Sequence, residues 1–144
     1  MDKETVVKKL RTLIKEFVAK KGAFSLVMLI PSEPNVIDSK VTLLMSAPWL
    51  DKESPKQAID LIVKSLRKHL DNVELPYISR VTIVNSSDTS VKAINAAFNV
   101  TEGTADITNC NVFGVQIDKA TVFESHRLKD SKKQPLVSAS GTKK

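Results

Sequence analysis

The chain is poor in the residues that most often build catalytic or structural centres. Its 144 residues hold one cysteine, Cys110, which excludes an intramolecular disulfide and any multi-cysteine zinc site. Two histidines, His69 and His126, leave little for metal or acid–base chemistry. Four glycines, Gly22, Gly103, Gly114 and Gly141, are too scattered for a phosphate-cradling loop or a dinucleotide fingerprint. There is no Gly-x-Ser-x-Gly elbow, no His-Glu-x-x-His and no EF-hand spacing. ATP-, NAD- and zinc-dependent chemistry are therefore disfavoured, and neither a cofactor nor a metal is expected. Aromatic residues make up only 5 %, so the core must rest on Val, Ile, Leu and Ala. No stretch approaches the ~20 apolar residues that span a bilayer, so no membrane partner is expected. The start, Met1-Asp2-Lys3-Glu4, has no apolar signal region; with the unpaired Cys110 it points to the cytoplasm.

The length is that of one domain, which buries roughly 68–70% of the surface its unfolded chain exposes. Apolar residues at 42 % and charged residues at 26 % are ordinary for a globular chain. The net charge of +6 is unevenly placed. Residues 1–21 carry 7 Lys/Arg against 3 Asp/Glu, and residues 127–144 carry 6 against 1. Residues 22–126 carry 9 against 12, so the basic character belongs to the two ends. A body without a basic face or exposed aromatics disfavours nucleic acid as a partner.

Residues 3–21 read as an amphipathic helix with Val6, Val7, Leu10, Leu13, Ile14, Phe17 and Val18 on one stripe, stopped by Gly22. Its plain role is to cover a sheet, although such a basic helix also suits a membrane surface or a partner. Residues 23–30 and 40–47 read as two strands forming an antiparallel hairpin across a loop containing Pro31 and Pro34. Ser54-Pro55-Lys56-Gln57 is a capping box that opens a helix running to about Leu70. His69, near that helix's C-terminus, reads as a surface cap rather than a base. Residues 78–84 are a third strand, parallel to the second through a right-handed crossover. A short helix over 91–98, a turn at Glu102-Gly103 and two strands reversing at Gly114 complete the pattern. The fold class is α+β (mixed α/β): a single five-stranded mixed sheet with about three helices, in the order α-β-β-α-β-α-β-β. Residues 1–128 form one domain, and residues 129–144 read as a flexible basic tail.

Ligands of open α/β sheets gather at the carboxyl ends of parallel strands. Here those ends are residues 46–51, with Trp49 and Asp51, and residues 85–90, with Asn85, Ser86, Ser87, Asp88 and Ser90. The plain alternative is that Ser87 or Asp88 caps the following helix and Trp49 plugs its end. No catalytic residue is assigned: Cys110 with His126, and Asp106 facing Asp118 across the last hairpin, are pairings that need geometry to count.

The leading functional reading is a soluble cytosolic, non-enzymatic ligand-binding or protein-interaction module that self-associates as a homo-oligomer. A second reading is a small enzyme or binder of a polar or anionic metabolite at the strand ends. A third is weak association with nucleic acid through the basic termini.

Overall fold

The computed structural model describes residues 3–33, 39–100 and 103–126. The basic segment 129–144, and Pro34 and Glu102 of the turns read from the sequence, lie outside them. Helix α1 spans Lys3–Lys20 and buries Val6, Leu10, Leu13, Ile14 and Phe17; Val7 is partly buried, and Val18, expected on the same stripe, is 40 % exposed at its edge. The chain leaves it through Gly22 at φ +131°, a conformation that a side chain resists. Strands β1 (Leu26–Pro31) and β2 (Val41–Ser46) pair antiparallel, with Leu26 opposite Ser46 and Pro31 opposite Val41.

A single helical turn, α2 (Pro48–Asp51), follows β2 where the sequence suggested only a loop. Pro48 supplies the preset φ of a first helical position. Helix α3 (Pro55–His69) starts at Ser54, whose hydroxyl accepts the Gln57 N–H at 3.3 Å, as the capping box requires. A 3₁₀ turn (Leu75–Tyr77) then leads into β3 (Ile78–Ile83), parallel to β2. Helix α4 (Thr89–Ala97), β4 (Ala105–Val112) and β5 (Val115–Ser125) complete the fold.

The result is one five-stranded mixed sheet in the order β3-β2-β1-β5-β4, in which only β2 and β3 are parallel. The α-β-β-α-β-α-β-β pattern holds, with α2 as an extra turn. Strand β1 lies at the centre, which explains its unbroken apolar run: both of its faces are covered. Val27 and Leu29 pack with α1 and α3 on one face. Leu26 and Met28 pack with Val91 and Ile94 of α4 on the other. Among the described residues no helix is long and apolar enough to cross a membrane.

The last hairpin departs from a plain period of two. Val112 pairs with Val115, so the turn is Phe113-Gly114 with φ of 55° and 74°, both positive as a type I′ turn demands. The reversal therefore engages Phe113 as well as Gly114. Phe113 is held there by its packing against the α4 side of the core and by its N–H, which donates to Ser90 Oγ at 2.6 Å. Asn109 has φ 50°, a region Asn tolerates better than most residues, and the strand switches faces around it. Ile107 before it and Cys110 and Val112 after it all join the α4-side core. This switch is why the sequence of β4 looks polar on one face and mixed on the other.

Candidate functional site

The loops after β2 and β3 do meet. Both carboxylate oxygens of Asp51 accept from Ser86: Oδ1 takes its N–H at 3.0 Å and Oδ2 its hydroxyl. Asn85 Oδ1 accepts the N–H and hydroxyl of Ser87 at 2.8 and 2.5 Å. Asp88 caps α4 by accepting the Ser90 N–H at 2.8 Å, and Ser90 Oγ is taken by Phe113. Each of these polar side chains therefore has a partner within the fold. Trp49 turns elsewhere, its ring stacked on Phe17 at 5.5 Å and edge-on to Phe24 at 5.4 Å. Its indole N–H donates to Gly22 O at 3.0 Å. Beneath the loops, Ser46 Oγ is buried and is the one such side-chain polar atom without a hydrogen-bond partner among the described residues.

The other sequence candidates separate. Asp106 lies opposite Thr121, whose hydroxyl donates to it at 3.1 Å; the expected Asp106–Asp118 facing pair is not formed, because the register matches 106 with 121. Cys110 lies opposite Ile117. His126 is nine residues further along the chain from Ile117, on the order of 30 Å at strand rise. Instead, His126 Nε2 meets Glu124 Oε1 at 2.9 Å. The other oxygen of Glu124 accepts from Arg11 at 2.5 Å. Arg11 also donates to Phe123 O at 2.9 Å and to Gly103 O, and lies over the Phe123 ring. Arg11 and Glu124 thus tie α1 to β5, with His126 bracing the carboxylate from the end of its own strand. Among the described residues no three His, Cys, Asp or Glu side chains gather to hold a metal ion.

An open cavity of about 550 Å³ lies elsewhere, between the C-terminal halves of α1 and α3. Phe17 and Leu61 give it an apolar floor. Lys20, Lys21, Lys64, Arg67 and Lys68 stand around it, all exposed. No family model, curated protein or solved structure matches this chain. Its chemistry must therefore be read from these side chains.

One acid, Glu16, lies in the wall of the groove. It is held by His69, whose Nε2 lies 3.1 Å from Glu16 Oε1. That hydrogen bond, with the charges of His69, Lys68 and Lys20, holds the Glu16 carboxyl below its ordinary range against the opposing effect of desolvation. His69 thus pins α3 to α1 with a side chain only 13 % exposed, deeper than the surface cap read from the sequence.

Glu16 apart, the rim is of one sign. Lys64 and Lys68 are four residues apart on α3 and Lys64 and Arg67 three apart, spacings at which like charges destabilise a helix by roughly 0.2–0.5 kcal/mol per pair. Sequence reading missed the groove because its cations come from two segments, Lys20–Lys21 and Lys64–Lys68, far apart in the chain. The available signal was the pattern of Lys64, Arg67 and Lys68 around Leu61 on one helix, with Lys20 and Lys21 beyond Phe17 on another.

Proposed function

We propose that this chain is a non-enzymatic binding module whose recognition site is the groove between α1 and α3. The observation that carries this reading is the conjunction of an apolar floor with five cations around it and, among the described residues lining the groove, a single carboxylate, Glu16, which is held by His69. Cations in a last helical turn also favour the helix dipole, and that accounts for Lys20, Arg67 and Lys68 individually. It does not account for Lys64 or for their convergence around Phe17 and the half-buried Leu61. An anion in the groove offsets the repulsion that the empty rim carries. The loops after β2 and β3 are the weaker locus, because their carboxylates and hydroxyls are engaged with one another.

Trp49 is a built-in reporter, since its ring stacks on Phe17, which forms the floor. Titration with the anionic dye 8-anilinonaphthalene-1-sulfonate is expected to change Trp49 emission saturably, and Leu61→Asp is expected to abolish the change. A flat titration at low salt overturns the reading. A cytoplasmic setting belongs to the same proposal and is consistent with Cys110 as a free thiol.

Self-association is the second part of this reading. The sheet ends in two edge strands, β3 and β4, whose outer backbone groups offer a ladder to a second copy. Light scattering is expected to give a particle larger than the 15.9 kDa chain. A mass of one chain across the working concentration range removes this part and leaves the groove intact.

A further inference from the structure

Resting on that reading, we infer that the occupant of the α1–α3 groove is a single-chain alkyl anion, an acyl carboxylate or an alkyl phosphate. Its chain lies along Phe17 and Leu61, and its head group is held by the cations of the rim. Size, apolar extent and charge lead to this class. A cavity of about 550 Å³ falls within the roughly 300–1,000 Å³ typical of small-molecule sites.

The apolar surface stops at the ends of the groove. Among the described residues the exposed large hydrophobics are Val18, Val73 and Val115, and none of them lines it. A partner helix or a bilayer would find two apolar anchors and then lysines. A lone alkyl chain needs no more than that floor, with the methylene stems of the lysines as side walls.

Charge removes the occupants supplied by the chain itself. The segment 127–144 carries 6 Lys/Arg against 1 acid and would be repelled by the rim. A two-fold pairing of groove with groove would set like charge against like. Nucleic acid is disfavoured because Phe17 is the only aromatic group among the described lining residues and its ring is already stacked on Trp49, so it presents bases an edge rather than an open face. What fits is a small molecule that is apolar along its length and negative at one end.

The test uses the full chain and decanoate, with decyl phosphate, acetate, decyltrimethylammonium and vesicles of phosphatidylglycerol in parallel, read by calorimetry and Trp49 emission. The expected result is saturable one-to-one binding of decanoate or decyl phosphate, whichever head group the rim prefers, and none of acetate or decyltrimethylammonium. Leu61→Asp and, independently, the surface double variant Lys64→Glu/Lys68→Glu are each expected to weaken it by roughly tenfold or more. The charge variant alters exposed side chains only, so its fold is checked by an unchanged thermal midpoint. Equal binding of the cationic surfactant, or decanoate binding indifferent to both variants, overturns the inference. Binding of the sulfonate dye or of vesicles without decanoate or decyl phosphate overturns the ligand class while the groove survives as a binding site. Loss of all of these overturns both.

Discussion

At Gly22 the backbone turns out of α1 with φ +131°, and a methyl group added there would stand 3.3 Å from Trp49 Cδ1. The carbonyl of the same residue accepts the indole N–H. Backbone, packing and hydrogen bonding thus converge on a position where only glycine is unstrained. Gly22→Ala is expected to cost about 1–2 kcal/mol from the left-handed backbone alone. Urea denaturation followed through Trp49 measures it, and the native emission should also move as the ring is displaced from Phe17. A change in stability without any spectral change would mean that the strain is relieved away from Trp49. The helix stop at Gly22 was legible in the sequence. Its partnership with Trp49 was not, because residues 27 apart give no local sign of touching.

The turn between α3 and β3 shows the same division one scale up. Asp71 Oδ1 accepts the N–H groups of Val73 and Glu74 at 2.9 and 2.8 Å, and Glu74 Oε1 accepts the Asp71 N–H at 3.0 Å. Lys9 Nζ of α1 completes the set, 2.6 Å from the same Glu74 oxygen. This is the reciprocal form of the capping box whose sequence pattern was plain at Ser54–Gln57, where the Ser54 hydroxyl accepts the Gln57 N–H. It went unread here because only a three-residue 3₁₀ turn follows, too short to show any apolar period. The face switch at Asn109 hid the inward side of β4 for a related reason, since alternation is a signal only where the strand is regular.

The Asp71 turn makes a pH prediction whose sign is fixed. The Glu74 N–H bond, opposed by desolvation and aided by the Val73 N–H and Lys9, holds the Asp71 carboxyl below its ordinary range. A depressed carboxyl adds stability above its unfolded pKa, and that increment is lost as pH falls through the folded value. Wild-type protein is expected to lose more stability between pH 6 and pH 3 than Asp71→Asn, which keeps an acceptor oxygen but no charge. Parallel denaturation curves at the two pH values for both proteins would show that the turn contributes nothing ionic.

Across the whole molecule, charge summed along the chain and charge summed over a face tell different stories. Helix α1 carries six Lys/Arg against two acids and α3 carries four against one, so these two helices exceed the +6 of the entire chain. Counted by segment, the basic character sits at the ends and the body is mildly acidic. Folding puts α1 beside α3 on one side of the sheet and turns a basic end into half of a basic face. The element order was readable from apolar periodicity and turn residues. The groove was not, since it depends on which two helices share a face.

Arg11 is where that face is fastened to the far side of the fold. Its guanidinium reaches Glu124 and the Phe123 carbonyl of β5 and the Gly103 carbonyl ahead of β4, and it lies 5.4 Å from the centre of the Phe123 ring. The pair is largely desolvated, with side-chain exposures of 16 % for Arg11 and 9 % for Glu124. Removing Arg11 leaves the buried Glu124 carboxylate with His126 but without its guanidinium, so Arg11→Met is expected to lower stability by about 3 kcal/mol. The double variant Arg11→Met/Glu124→Gln is expected to recover part of that loss, because no buried carboxylate remains that has lost its guanidinium. Chemical denaturation of the three proteins at one pH separates the contributions. A single-variant loss below about 1 kcal/mol would place the pair among screened surface contacts.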